Sequence, residues 1–292
     1  MSTAALSLVL VSALLHAIWT ASIKESREPL GFNLLQTLPF VPLALAIAAA
    51  VDLTAVPPRA WACLIASCGI HAAYVFWMAR ALERTELSVA YPIMRSAPAF
   101  LPLLAVPLLG ESVSARGAAG IAIVVAGMWL VNTGGRTSLS RLFAAGTGFA
   151  YLTLFATVAY SLSDKAGMAS LSAADWASPV PRSLVYFVLL GVGHGALVAP
   201  FVLHRVGGRA LRAQARTEWR RILFAALLTT GSYTLILEAL RHAPVSYVAA
   251  ARQSSVLFAL LLGALWFHET AGPARMAGAL LTVAGVVLVA LA

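Results

Sequence analysis

The chain has 292 residues, of which 61% are hydrophobic and 11% charged, with a mean hydropathy of +0.88 and a formal net charge of +9. Soluble domains carry about 25% charged residues, so a soluble globular protein is excluded and a polytopic membrane protein is indicated. The two cysteines, Cys63 and Cys68, lie in one apolar run without metal-ligand or redox spacing and are read as packing residues.

A span needs roughly 20 mostly apolar residues, because the hydrocarbon core is about 30 Å thick and a helix rises about 1.5 Å per residue. By that measure ten spans are expected, at 4–22, 32–50, 61–82, 88–109, 116–131, 142–162, 184–203, 222–240, 247–267 and 275–291. The first is read as a span rather than a secretory signal, because Lys24 and Arg27 follow it and no Lys or Arg precedes it, the reverse of a signal's charge order. The connections are short and marked by turn residues such as Val56-Pro57-Pro58 and Gly134-Gly135. One stretch, 204–221, carries Arg205, Arg209, Arg212, Arg216, Arg220 and Arg221 and is read as a solvated basic loop beside anionic lipid headgroups. The positive net charge is thus a membrane-surface feature rather than a nucleic-acid signal.

The segment 81–131 recurs at 239–289. Aligned without a gap, the two match at about 15 of about 51 positions, among them Ser88 with Ser246, Ser96 with Ser254, Phe100 with Phe258 and Glu111 with Glu269. His16, Trp19, Thr20, Ser22 and Lys24 correspond in the same way to Thr157, Tyr160, Ser161, Ser163 and Lys165. The expected architecture is therefore all-α and membrane-integral, with a first five-helix unit over 1–137 and a second over 138–292. An odd number of helices per unit makes the two copies cross in opposite directions. With the N-terminus outside, about 13 Lys/Arg fall on the cytoplasmic side and about 5 on the other, so both termini are expected outside the cell inner (plasma) membrane.

Polar groups inside apolar spans cost free energy unless they face protein or water, and so they point to a pathway. Ser12, His16, Trp19 and Thr20 share one helix face, as do Thr153, Thr157, Tyr160 and Ser161, and Ser67, His71, Tyr74 and Met78; Thr229 and Ser232 match the last set. Trp19, Tyr74, Tyr91 and Tyr160 are the expected aromatic lining of a cavity, with His16, His71, Ser96, Ser232 and Gln253 as hydrogen-bonding groups. Trp61, Trp129 and Trp266 lie near span ends and are read as interfacial belt residues. Arg95 falls about a third of the way into the fourth span, about 10 Å from its start, and Arg252 one to two turns into the ninth. No carboxylate is expected at that depth: Glu111 and Glu269 fall at span ends, and Asp164 and Glu238 within about two residues of them.

Pro92, Pro98, Pro102 and Pro107 each remove a backbone donor from the fourth span, which is expected to bend beside the cavity, whereas the ninth span has no proline. Gly191, Gly193 and Gly195 around His194 indicate close packing, as do Gly117, Gly120, Gly127, Gly278 and Gly285 on the fifth and tenth spans.

These features together resemble the ten-helix EamA-type branch of the drug/metabolite transporter superfamily. The resemblance rests on the five-plus-five repeat, on Trp19 with Lys24 echoed by Tyr160 with Lys165, and on the Ala81-Leu82 and Ala239-Leu240 turns. The segments LLGES and LWFHET, with Glu111 and Glu269, and the Gly-rich fifth and tenth spans complete it. The resemblance implies a secondary transporter with alternating access, and it places the fifth and tenth helices outside the cavity. Many relatives keep their basic residues between the second and third spans, which here hold only Arg59; hence the opposite orientation from the family's usual one.

An intramembrane enzyme or a channel would need a catalytic motif or a filter loop, and neither is present in the sequence. No cofactor or ATP-binding motif is implied, and uniport or facilitated exchange is expected, with His16, His71 and His194 as the groups able to carry a proton. The expected partners are a small-molecule substrate and the lipid bilayer, for a chain acting as a monomer. With Arg95 inside, Arg252 either inside or snorkelling to the membrane surface, and no deep carboxylate, the expected substrate is a small zwitterionic or anionic metabolite, in first place an aromatic or apolar amino acid that is exported, which resembles the aromatic amino acid exporters of this branch.

Overall fold

A computed structural model describes residues 1–292 apart from 25, 136–138, 145, 177 and 267–271, and only the backbone of 24, 87, 139, 140 and 266. The helices are α1 (Thr3–Lys24), α2 (Pro29–Leu35), α3 (Phe40–Ala50), α4 (Pro58–Arg84), α5 (Leu87–Met94), α6 (Ala97–Leu109) and α7 (Ala115–Thr133). They continue with α8 (Leu139–Leu142), α9 (Gly148–Ala173), α10 (Arg182–Val206), α11 (Gly208–His242), α12 (Val245–Arg252), α13 (Ser255–Trp266) and α14 (Pro273–Ala290). Their ends follow local chemistry. Pro58 and Pro273 open α4 and α14, where a missing N–H costs nothing, and Ser114 caps α7 by accepting from the Gly117 N–H. Gly110 and Gly134, at φ 66° and 59°, terminate α6 and α7 in the left-handed region.

The pairs α2–α3, α5–α6 and α12–α13 are each a single crossing interrupted by a turn. Nine of the described helices or helix pairs are long and apolar enough to cross a membrane. The remaining one, α9, has 26 residues and is long enough to cross, but it carries Asp164 and Lys165 and is more polar. Alternating crossings bring both chain ends to one side, where the Met1 amine donates to the Ala290 carbonyl at 3.2 Å.

The helices pack in a reciprocal pattern: α1 against α11, α4 against α9, α10 against α2 and α3, α6 against α12, and α7 against α14. At the last interface the backbones touch. A Cβ on Gly127 would stand 2.7 Å from the Gly278 carbonyl oxygen, and one on Gly285 would stand 2.7 Å from that of Gly120. Only glycine permits this approach, as expected from the sequence. Gly191, Gly193 and Gly195 likewise accommodate Phe40, Cys68 and Thr37, so the glycine run of α10 is a packing surface. Cys68 is buried there, and its thiol donates to the Leu190 carbonyl at 3.7 Å.

Four expectations are corrected. The stretch 204–221 is not a loop: α10 continues to Val206, Gly207 makes the turn at φ 84°, and α11 carries the arginines on a helix of 35 residues. The sixth crossing extends to Ala173 rather than 162, which moves Asp164 from a span end to within about 5 Å of the helix midpoint. The ninth crossing is broken at Gln253–Ser254 although it contains no proline. Trp129 is no belt residue, since its Nε1 donates to Ser96 Oγ at 2.8 Å in the interior. Glu269, the side chains of Lys24 and Trp266, and the expected boundary at 137/138 lie outside the described residues.

Candidate functional site

The site is built around the two helix breaks. Pro98 has no N–H for the Met94 carbonyl, so the α-helical ladder cannot pass Arg95 and Ser96; Ser96 N turns to the Ile93 carbonyl at 3.1 Å and its hydroxyl donates to the Pro92 carbonyl at 2.7 Å. In the ninth crossing Gln253 N and Ser254 N make the same tighter bonds to Ala250 and Ala251, both at 3.1 Å. The breaks therefore occur at aligned repeat positions, Arg95–Ser96 and Gln253–Ser254. Arg95 is the C-cap of α5 and Arg252 the last residue of α12, so both lie at helix C-termini, where cations are favoured.

Between the breaks lies a cavity of about 140 Å³. His16, Tyr74, Arg95, Tyr160 and Gln253 line it, together with Asp164, Tyr233, Arg252 and the hydroxyls of Thr157, Ser161 and Ser255. Apolar wall comes from Pro98, Leu101, Ile236 and Val248. Gln253 Oε1 is buried here without a hydrogen-bond partner among the described residues. A second cavity of about 320 Å³ shares His16, Arg95 and Ser255 and extends to Tyr91, Asn132 and Arg275. Its rim includes exposed Thr20, Tyr91, Ala259 and Arg275, so the pair communicates with the side on which α1 and α7 end.

On the opposite side polar contacts join the start of α12 and the end of α11 to their neighbours. Glu111 accepts from Val245 N at 2.6 Å and from the Ser246 hydroxyl at 3.2 Å at the start of α12, where a carboxylate is favoured. Ser114 N donates to Tyr247 Oη at 3.0 Å, and Lys165 Nζ donates to the Ala243 carbonyl at 2.9 Å and also to that of Leu240.

Asp164 is 1% exposed and sits at the cavity wall, held by three hydroxyls. Ser67 Oγ donates to Oδ1 at 2.6 Å, Tyr186 Oη to Oδ1 at 3.2 Å, and Tyr233 Oη lies 2.6 Å from Oδ2. His71 completes the group, with Nε2 at 3.1 Å from Tyr233 Oη and Nδ1 at 2.9 Å from the Ser67 carbonyl, its ring stacked 4.0 Å from that of Tyr160. Arg252 lies 5.5 Å from the Tyr233 ring.

Of the residues expected to bind substrate, His16, Tyr74, Tyr91, Arg95, Tyr160 and Gln253 line the two cavities. Four do not. Trp19 stands behind His16, ring centroids 5.0 Å apart, and its Nε1 donates to buried Gln36 Oε1 at 2.7 Å. His71 lies behind Tyr160 and Tyr233. The Ser96 hydroxyl is committed to Pro92 and Trp129. Ser232 clasps α1: its hydroxyl donates to the Ser12 carbonyl at 3.0 Å, and that of Ser12 to the Ser232 carbonyl at 2.7 Å. Asp164 and Tyr233 are the residues the sequence left out. The signal for Asp164 was the apolar run Gly167-Met168-Ala169 beyond it, which carries the helix on to Ala173.

Comparison with family models matches residues 3–133 and 178–291 to the EamA-like transporter family. Comparison with curated proteins gives no match. A crystal structure of a protein 18% identical in sequence superposes with a TM-score of 0.75, covering 100% of this chain and 98% of its own, a likeness that carries the fold alone.

Proposed function

Since the chain belongs to the EamA-like transporter family, whose members carry small molecules across membranes, we propose that it exports amino acids with apolar or aromatic side chains by alternating access through the cavity between the helix breaks. The observation that carries this proposal is the juxtaposition in one small cavity of Arg95 and Arg252 with Asp164, beside Tyr74, Tyr160 and Tyr233. Two guanidinium groups suit a carboxylate, a carboxylate suits an ammonium, and the phenol rings suit an apolar body. The unpartnered Gln253 Oε1 offers the ammonium a further acceptor.

The depth of Asp164 changes the basis of this assignment. A cation is no longer disfavoured by the lack of an internal counter-ion, and a zwitterion is matched at both ends rather than one. Alternating access is supported by the one-sided cavity and by the reciprocal helix pairs, which suit two inverted units whose halves rock about the site. The excess of basic residues on the side where the cavity opens supports an inner-membrane orientation with both termini outside.

The test is competition for binding to the purified protein. L-phenylalanine should bind more tightly than 3-phenylpropionate, which lacks the ammonium, and than phenethylamine, which lacks the carboxylate. A protein that binds phenethylamine or quaternary ammonium drugs and ignores phenylalanine would contradict the assignment.

A further inference from the structure

The cluster behind the cavity carries a proton count of its own. The Ser67 carbonyl can only accept, so His71 Nδ1 bears a hydrogen. Tyr233 has a single hydroxyl hydrogen but two hydrogen-bond neighbours, Asp164 Oδ2 at 2.6 Å and His71 Nε2 at 3.1 Å. If that hydrogen points to the carboxylate, Nε2 must supply its own and His71 is an imidazolium. If it points to Nε2, Oδ2 must supply one and Asp164 is a carboxylic acid. Both arrangements hold one proton more than an Asp164 carboxylate beside a neutral His71. Without that proton, one of these contacts sets lone pair against lone pair in a buried site, where an unmade hydrogen bond is expensive. The two arrangements interconvert by a relay: the Oδ2–H bond breaks as that proton bonds to Tyr233 Oη, while the original Oη–H bond breaks as its proton bonds to His71 Nε2.

We infer that Asp164, Tyr233 and His71 form a proton-binding unit, and that the ammonium group of the substrate displaces its proton, so that substrate and proton are exchanged across the membrane. The exchange rests on the amino-acid assignment above; the proton-binding unit rests on the hydrogen-bond geometry alone. When the ammonium donates to the Asp164 carboxylate, the proton leaves Oδ2 for water in the cavity, and an imidazolium proton follows the same route back through Tyr233. His71 thereby returns to neutral with Nε2 accepting the Tyr233 hydroxyl hydrogen, and an ammonium hydrogen takes that hydrogen's place at the Asp164 carboxylate.

The groups around the unit come from every neighbouring helix. Arg252 of α12 faces it at 5.5 Å from the Tyr233 ring, and Arg95 and His16 face it across the cavity. Tyr160 of α9 and Tyr74 of α4 flank it. Behind it stand Tyr186 of α10, His194 of α10 with its ring 6.0 Å from that of His71, and the thiols of Cys63 and Cys68 on α4. Lys165 faces away, spent on the carbonyls of Leu240 and Ala243.

The experiment uses purified full-length protein in weakly buffered solution with a pH-indicating dye. L-phenylalanine should release about one proton per chain, as linkage between two competing ligands requires. 3-Phenylpropionate should release none, Asp164→Asn should release none with phenylalanine, and Asp164→Glu should restore part of the release. In a separate arm, infrared difference spectra between acid and alkaline pH should contain a carboxylic-acid or imidazolium band that Asp164→Asn removes. Phenylalanine binding without proton release, or with proton uptake, overturns the exchange. If phenylalanine does not bind, the amino-acid assignment fails, and the infrared arm decides the proton-binding unit: a band abolished by Asp164→Asn supports it, and spectra unchanged by that substitution overturn it.

Discussion

Arg95 and Gln253 occupy the same place in two different helices, each directly following the first half of a crossing that breaks at the next residue. One carries charge and the other an amide, so the two walls of the cavity are chemically unequal although their backbones are alike. Arg95 reaches both cavities, whereas Gln253 reaches the inner one.

Arg95→Ala should weaken phenylalanine binding by tenfold or more, since a hydrogen bond to a charged group contributes about 1.5–3 kcal/mol. Phenethylamine, which has no carboxylate, should bind no more weakly to the variant than to the parent. Isothermal titration with the two ligands checks this. Equal losses for both would assign Arg95 to structure rather than recognition.

Tyr74→Ala should discriminate by size. Tyr74 lines the cavity with its ring 6.0 Å from that of Tyr160, and its loss removes apolar wall without touching either charge. Binding of phenylalanine should fall more than that of alanine, by about 0.5–1.5 kcal/mol from the lost aromatic contact. A uniform fall across the two amino acids would contradict the role given to the ring.

How far the site was legible in the sequence depends on which signal each residue carried. The polar stripes of α1, α4 and α9 lead to His16, Tyr74 and Tyr160, which line one cavity, because helical spacing alone puts each on the polar face of its helix. Trp19 shares that face with His16 but turns to buried Gln36, and no spacing rule announces a partner on another helix. Ser96 and Ser232, expected from the sequence as hydrogen-bonding groups for substrate, donate to backbone carbonyls instead, as hydroxyls in apolar helices can. Asp164 was lost because Ser161-Leu162-Ser163-Asp164-Lys165 reads as the polar end of a span. Only the tertiary contacts of Ser67, Tyr186 and Tyr233 make a carboxylate tolerable about 5 Å from mid-helix. The ninth-helix break has no proline to announce it; it rests on the tighter bonds of Gln253 N and Ser254 N to Ala250 and Ala251.

Gly127→Val should damage the fold rather than the site. Its Cβ would meet Thr282 N at 2.6 Å and the Gly278 carbonyl at 2.7 Å, contacts with backbone that cannot rotate away. A loss of about 1–3 kcal/mol or more is expected from such overpacking. The thermal transition of the detergent-solubilised protein should drop. An unchanged transition would mean that α7 and α14 do not meet as described.

The orientation is checked by fusions at the C-terminus. A periplasm-dependent phosphatase there should be active and a cytoplasm-dependent fluorescent reporter dark, because the side opposite the termini holds the larger share of Lys and Arg. The reverse pattern would place the open cavity toward the outside.

The central claim, that the cavity between the two helix breaks carries an amino acid across the bilayer, is tested most directly by counterflow in proteoliposomes. Vesicles preloaded with unlabelled L-phenylalanine should accumulate labelled phenylalanine transiently above equilibrium, with a saturable rate that falls sharply in Arg95→Ala. Uptake that never overshoots, or that rises linearly with concentration and is the same in vesicles without protein, would contradict it.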